Sequence, residues 1–359
     1  MSFQTESLHD ALSVGASVWD RRAVAARVPT PFSAWNWVEA WRSSAPAVVS
    51  GGAFVMSDGA AVLPVRLRGR NLSLAVSDVG CPDYLDVIGA PTAPGGDWVE
   101  ALNRADWARL QFDGCADRGF LVSEFSDALA RSGASVRLEL TDVCPVIDLP
   151  RSFDGYLSRL SRERRQWLRR KERRATDAGI TFVDHTAATM QSGFDALVRL
   201  HAARWSTGGA FADARLSELV SRALSLSGRA GTLLTTAWLG NRPVGAWLGF
   251  RFLDTTYFYQ SGRTPEAAQL SVGAVLMARM LRSAIESGGR RFDLLRGAEP
   301  YKATWGTRPE PLLRLIAHRG TLSGRLLRTL DTARRGLAAA RAAVAKRFPS
   351  ELGSKGIHE

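Results

Sequence analysis

The sequence predicts an α/β (α+β) protein of two folded units followed by a basic amphipathic helix, and three observations carry that prediction. The chain has 359 residues, more than a typical single domain of roughly 100–200. Short β-patterned runs alternate with helix-patterned runs, and one antiparallel meander is joined by turns at Gly240-Asn241 and around Asp254. Near the end, leucines recur at helical spacing among arginines and alanines. The expected units are 1–150, 151–318 and a tail, 319–359.

In the first unit, Phe32 to Arg42 places Trp37 and Trp41 four apart, on one face of a helix. Strands are expected at Ala53–Met56, Ala61–Arg66, Leu72–Val76 and Tyr84–Ile88, separated by Gly, Asp and Asn turns. A helix at Asp97–Ala105, a strand at Arg109–Phe112 and a helix near Ser126–Ser132 follow, and Pro145–Pro150 reads as the exit. In the second unit, Ser152 to Gly179 is a long or broken helical segment with a capping residue at its start and glycine at its end. A helix at Phe194–Arg204 precedes the meander Thr232–Leu239, Val244–Phe252 and Thr255–Gln260. The helix Val272–Glu286 has its apolar positions on one face, and Phe292–Leu295 is a buried strand. Leu322 to Phe348 reads as the basic amphipathic tail helix.

Composition narrows the class. With 45% hydrophobic and 23% charged residues the chain is of ordinary globular type. It holds no apolar run near the roughly 18 residues of a membrane span, and its start lacks the basic and apolar regions of a secretory signal. A cytoplasmic location is the expectation. Cys81, Cys115 and Cys144 are widely spaced, which predicts free thiols, and the five histidines form no metal pattern. No metal is expected.

The net charge of +12 is concentrated. Arg162 to Arg174 holds eight basic against two acidic residues, and Arg319 to Arg347 eight against one, which leaves the rest near neutral. Such local patches attract phosphorylated substrates, anionic membrane surfaces or nucleic acid. Without a helix-turn-helix, zinc-finger or zipper pattern, DNA is not the expected partner. The tail fits the inner face of a membrane, and its Arg328-x-x-Asp331 is a pattern used by some cyclic-dinucleotide sites.

The densest chemistry lies between Tyr257 and Trp305. A strand there opens into a loop, Gln269-Leu270-Ser271-Val272-Gly273-Ala274, and then a helix. Free backbone N–H groups and the helix dipole at such a point form an anion site, with Arg263 as a charge partner. The loop is similar to the pyrophosphate loop of the GNAT acyltransferase superfamily, with one extra residue before the glycine. The ordered set YFYQSGRTPE, SVGAVLMARMLRSAIESG and FDLLRGAEPYKATWG, with PFSAWNWVEAW and RERRQWLRRKERR, resembles the branch related to the CelD acetyltransferases of cellulose and exopolysaccharide synthesis. It resembles more distantly the Fem peptidoglycan-bridge aminoacyltransferases. The resemblance covers roughly 30–318 and implies two tandem GNAT-like domains, each a mixed, mostly antiparallel sheet flanked by helices.

That resemblance implies an acyl-CoA donor, acetyl-CoA first, and N-acylation of an amino sugar or its lipid- or nucleotide-linked precursor during envelope or exopolysaccharide synthesis. The sustained heptads of the Fem coiled-coil arm are absent, which disfavours aminoacyl-tRNA as donor. The alternatives are Fem-like aminoacyl transfer and a non-catalytic membrane scaffold.

Acyl transfer to an amine needs a held pyrophosphate, a proton acceptor for the amine and an acid for the thiolate. Glu299 is the candidate acceptor and Tyr301 the candidate acid, while Lys302 or Arg296 would hold a phosphate or carboxylate of the acceptor. Asp293, inside the strand pattern, either positions its neighbours or acts as a base. Tyr259 and Gln260 are expected to face the same cleft, Arg204 and Trp205 to contact the acceptor, and His201 is a weaker candidate base.

Overall fold

The computed structural model describes residues 3–44, 52–80, 82–205, 209–226 and 228–347, with side chains described up to residue 336. Cys81 and the last residues of the tail lie outside them.

Among the described residues thirteen strands form one sheet: β1 (Gln4–Ser7), β2 (Ala53–Ser57), β3 (Ala61–Arg68), β4 (Asn71–Leu74), β5 (Ile88–Gly89), β6 (Arg109–Ala116), β7 (Ser135–Asp148), β8 (Ile180–Asp184), β9 (Gly231–Leu239), β10 (Arg242–Phe252), β11 (Thr255–Arg263), β12 (Arg291–Asp293) and β13 (Arg308–His318). Apart from β5, which pairs with β3, their order is β1-β2-β3-β4-β6-β13-β7-β12-β11-β10-β9-β8. The pattern reads the same from both edges. A run of antiparallel strands is followed by one parallel pair, β4 with β6 or β11 with β12, and then by an antiparallel strand, β13 or β7. The centre is the antiparallel β7–β13 pair. Each half lends a strand to the joint, so the two halves share one hydrogen-bonded sheet.

A parallel pair needs a crossover, usually helical. Gly95–Leu102 lies in the β4–β6 crossover and Val272–Glu286 in the β11–β12 crossover. Burial drives both halves. Trp19, Trp37, Trp41, Trp98 and Trp107 are at most 1% exposed in the first, and Trp247, Leu281 and Phe292 are fully buried in the second. Trp37 and Trp41 share the buried face that their spacing predicts.

The fold class is the expected one, a mixed, mostly antiparallel sheet flanked by helices with a C-terminal basic helix, Leu322–Arg347. Ser152 to Gly179 is a broken pair, Phe153–Arg159 and Arg162–Asp177, each capped by a serine hydroxyl. Two local expectations fail. Tyr84–Ile88 is not a continuous strand, because Tyr84 has φ 61° and the segment pairs only at Leu85, bridged to Cys115, and at Ile88 in β5. Pro145–Pro150 is not simply an exit, because Pro145 lies inside the 14-residue β7, opposite Pro309 of β13.

Candidate functional site

The end of β11 is shaped by a close approach. A Cβ on Gly262 would lie 2.3 Å from the amide nitrogen of His201 and 2.5 Å from the carbonyl carbon of Leu200, so glycine lets helix Met190–Arg204 rest directly on the strand. That contact sets Arg204 beside Ser261, to whose hydroxyl it donates at 3.1 Å, with its guanidinium 4.9 Å from the Trp205 ring centre. Trp205 is half exposed. Burial, and then the charge of Arg204, push the Arg263 guanidinium below its ordinary value. Among the described residues no carboxylate pairs with Arg204 or Arg263. Two cations thus converge without a counter-ion.

The next loop adds backbone donors. Thr264 caps the short helix Pro265–Gln269. The chain then turns at Ser271 in the left-handed region (φ 56°, ψ 35°) and enters Val272–Glu286 without a side-chain cap. The amides of Ala274 and Val275 already reach the Ser271 carbonyl, at 2.9 and 3.2 Å. Those of Val272 and Gly273 meet no acceptor among the described residues. A Cβ on Gly273 would meet only Arg263 Cδ, at 3.9 Å, so internal packing does not require glycine here, and the arginine stem lies beside the open amides. Gln269 and Leu270 form the approach to this turn, and Ala274 continues the helix.

The loop after β12 has the opposite character. Asp293 is fully buried and accepts from the Tyr84 hydroxyl at 2.9 Å, the Arg291 guanidinium at 2.6 Å and the Leu295 amide at 2.8 Å. Burial pushes its carboxyl above the ordinary value, against the opposing charge of Arg291. Leu295 is held at φ 52°, a strained conformation for a side chain of its size. The Arg296 amide donates to Asp83 at 2.8 Å and its guanidinium grips the same carboxylate. Lys302, only 4% exposed, donates from Nζ to the carbonyls of Leu295 (3.2 Å), Arg296 (2.8 Å) and Gly297 (3.2 Å), and pairs with Glu299 at 3.0 Å.

These placements sort the expected site residues. Arg204, Trp205, Arg263 and the Gln269–Ala274 loop gather around the end of β11, while Tyr301 and Glu299 face solvent beside it. Burial and then the Glu299 carboxylate push the Tyr301 phenol above its ordinary value, with Arg204 opposing, so it holds its proton at neutral pH. Lys302, Arg296 and Asp293 turn inward and hold the loop. Tyr259 packs on Phe32, Trp37 and Phe250, and its hydroxyl donates to the Gly80 carbonyl at 2.9 Å. Gln260 bonds to His201, whose ring is buried against Phe211 at 5.0 Å. Burial and the charge of Arg204 lower the His201 pKa. Sequence reasoning missed Ser261, Asp83, Tyr84 and Asp142, whose carboxylate accepts from the Gly297 amide at 3.2 Å. Their partners lie up to 213 residues away, and no local pattern reports such pairs.

The two basic helices differ in how they dock. In Arg162–Asp177, Leu168 and Ala175 are buried, Arg164 stacks over Trp167 and Trp305 at 3.9 and 4.7 Å, and Arg169, Arg170 and Arg173 point outward. In the tail helix, Asp331 accepts from Arg109 at 2.6 Å and lies 3.1 Å from His318 Nε2, so the Arg-x-x-Asp acid is turned to the body. Leu322, Leu326 and Leu330 face solvent at 86%, 62% and 45% exposure. Among the described residues no helix is long and apolar enough to cross a membrane, and no three His, Cys, Asp or Glu side chains converge as metal ligands.

Residues 162–303 match the family model of the acetyltransferase (GNAT) domain. No curated protein gives a significant sequence match. Among solved structures the chain is similar to FemX, with a TM-score of 0.60 at 10% identity over 92% of this chain and 99% of that one. It is similar also to the C-terminal domain of a candidate lysylphosphatidylglycerol synthetase from Agrobacterium fabrum, at TM-score 0.56, 15% identity and 89% and 96% coverage. The L-PGS structure from Bacillus licheniformis follows at TM-score 0.52, 12% identity and 80% and 94% coverage. At such identities the likeness concerns the fold. The chain thus shares its fold with FemX, and within it residues 162–303 are similar to the acetyltransferase (GNAT) domain.

Proposed function

We propose that the chain is an N-acyltransferase that takes an acyl group, acetyl first, from a CoA thioester and places it on the amine of an amino sugar or its lipid- or nucleotide-linked precursor. The observation that carries this reading is the unsatisfied set at the end of β11: two open amides, at Val272 and Gly273, beside two arginines that no carboxylate among the described residues pairs with. Backbone donors at a helix start, reinforced by guanidinium groups, suit the pyrophosphate of such a donor. The pathway, envelope or exopolysaccharide synthesis, rests on the resemblance to the CelD branch.

In the reaction the acceptor nitrogen attacks the thioester carbonyl, a C–N bond forms and the C–S bond breaks. The nitrogen gives up a proton, for which the exposed Glu299 carboxylate is the candidate acceptor. The departing thiolate takes one, for which the Tyr301 hydroxyl, held protonated, is the candidate donor. Arg204, Trp205 and Gln260 line the approach, where Trp205 could stack on a sugar ring. Lys302, Asp293 and Arg296 then act by fixing the loop that carries Glu299 and Tyr301.

Calorimetric titration with acetyl-CoA, and separately with free CoA, tests this. Micromolar binding that Gly273→Asp abolishes is expected; no binding to the folded wild-type protein overturns the donor assignment. A second reading, transfer from aminoacyl-tRNA, is favoured by the outward arginines of Arg162–Asp177, and it requires transfer-RNA binding that weakens steeply with salt. A third part of the proposal concerns location. The exposed leucines and arginines of the tail suit an anionic bilayer surface, and truncation after Arg319 should release the protein from anionic vesicles.

A further inference from the structure

Strand β7 is paired on both sides over only part of its length. From Val143 to Asp148 its second side is taken by β12 and the loop after it: Arg291–Asp293 pair with Asp148–Val146, and the amides of Leu294 and Gly297 donate to the carbonyls of Pro145 and Val143. From Ser135 to Leu140 nothing among the described residues pairs on that side. There β7 becomes the outer edge of the first half's sheet, about 20 Å long.

The ladder shows which groups face outward. The Arg319 amide donates to the Ala108 carbonyl, so in the regular stretch just before it Ala317 and Leu315 bond toward β6 as well. His318, Ile316 and Arg314 then bond toward their β7 partners Ser135, Arg137 and Glu139. The N–H and C=O groups of Val136, Leu138 and Leu140 point away from β13, toward the open side. Such an edge is a template for another strand, and proteins commonly blunt it. The second half does so, because β13 runs past the end of β6 through Pro309 and Pro311, which cannot donate. Between Ser135 and Leu140 β7 carries no proline, and Leu138 and Leu140 lie 42% and 66% exposed on one face. On the other face Arg137 and Glu139 pair with each other and stay partly exposed.

This pattern is complementary to itself. An antiparallel copy centred on Leu138 sets Leu138 against Leu138, Val136 against Leu140 and Arg137 against Glu139, with all three outward-bonding residues in hydrogen-bonded positions. A dyad at Arg137 or at Glu139 would instead set like charges face to face. One at Val136 would set Arg137 against Ser135, and one at Leu140 would set Glu139 against Thr141, the extra residue of a bulge. We infer that β7 is an interface with a second copy of this chain, in which two β7 edges pair antiparallel about Leu138 and the first-half sheets of both copies join into one. The interface does not depend on what the chain transfers.

Sedimentation velocity of the full chain over a range of concentrations tests this, and a reversible dimer is expected. Leu138→Pro removes an outward N–H while sparing every bond to β13, and should weaken dimerisation by about tenfold or more. Arg137→Glu and Glu139→Arg should each be monomeric alone, since each sets like charges across the dyad. An equimolar mixture of the two should form a heterodimer, because every 137–139 pair across the interface is again opposite in sign. Thermal unfolding checks that each variant is folded, and rescue in the mixture itself requires two folded chains. A monomeric wild type overturns the inference and leaves the edge to an extended segment of another protein. A dimer that persists in Leu138→Pro and in both charge variants overturns it too, and loss of that dimer in Leu326→Glu would move the contact to the exposed leucines of the tail helix. Charge variants that stay monomeric when mixed overturn the register about Leu138.

Discussion

The two halves of the sheet repeat one topology, but the loops that lead into their crossover helices differ in the charge set against their amides. In the first half the loop before helix Gly95–Leu102 is filled from within. Asp58 accepts from the amides of Thr92 and Ala93 at 2.7 and 3.0 Å, and its other oxygen from Ala60 and Ala61 at 3.0 and 2.8 Å. A Cβ on Gly95 would lie 2.4 Å from the Glu124 carbonyl oxygen, which closes the space at that residue, while one on Gly96 would meet nothing within 4 Å. In the second half the amides of Val272 and Gly273 stay open, arginines replace the carboxylate, and a Cβ on Gly273 would meet little. A donor cluster that carries its own carboxylate has no need of an external anion. The contrast points to the second half as the ligand-binding one and to the first as its structural counterpart.

The largest test of this contrast removes the internal anion. Asp58→Ala leaves four amides without a charged acceptor; the desolvation cost that the buried carboxylate no longer bears and the water that reaches the freed amides offset much of the lost bonding, so a net loss of about 3 kcal/mol is expected in urea unfolding. A loss below about 1 kcal/mol would mean that water replaces the carboxylate and that the two crossovers are less different than they look. Burial opposes ionisation of Asp58, but the amides of Ala93, Ala61, Thr92 and Ala60 outweigh it and hold the carboxyl below its ordinary value of 3.8. A depressed carboxyl contributes stability above its unfolded value and loses it as pH falls through the folded one. Wild type should therefore lose its advantage over Asp58→Asn only below about pH 4. An advantage that persists well below that range would exclude the ionised carboxylate as its source.

Next in size is Lys302→Met. The substitution keeps much of the buried stem but strips a donor from three carbonyls, for an expected loss of about 2 kcal/mol. Acyl transfer should fall as well, because the loop bearing Glu299 and Tyr301 loosens. If stability stays within about 0.5 kcal/mol of wild type while transfer is abolished, Lys302 contacts substrate and the assignment to loop positioning is wrong.

What the sequence made legible follows the range of the interactions. The meander, the helix Val272–Glu286 and the buried tryptophan face came from turn residues and periodicity within about a dozen positions, and the structure reproduces them. The central pair β7–β13 was not legible. Pro145, Pro309 and Pro311 interrupt both strand patterns, and Leu138 and Leu140 stay 42% and 66% exposed, so neither strand shows a clean apolar face. The candidate site divides in the same way. The loop at Gly273 and its arginines stand out locally, whereas the inward roles of Lys302 and Arg296 depend on carbonyls and on Asp83, which only the folded chain brings near.

A smaller effect, confined to binding, is expected of Arg263→Gln. Arg263 pairs with no carboxylate among the described residues and sits near Arg204, so its loss removes repulsion as well as packing. Stability should stay within about 0.5 kcal/mol, while affinity for a pyrophosphate-bearing donor falls roughly tenfold, about 1.4 kcal/mol. Unchanged affinity would leave the open amides without their charge partner and weaken the reading of this loop as an anion site.

Gly273→Ala gives the finest discrimination, because its two readings share a gain in stability and part only in donor affinity. Nothing within the chain lies closer than 3.9 Å to the added Cβ, and alanine in a helix is favoured over glycine by about 0.5–1 kcal/mol. If Gly273 is merely a helix-entry residue, the variant is slightly more stable and binds the donor normally. If the glycine is kept for close approach of a ligand to the backbone, the same variant is slightly more stable yet binds the donor more weakly. Thermal unfolding and calorimetric titration on one preparation separate these cases. A gain in stability with no loss of affinity would move the anion site away from the amides of Val272 and Gly273, and the contrast between the two crossovers would then be one of structure alone.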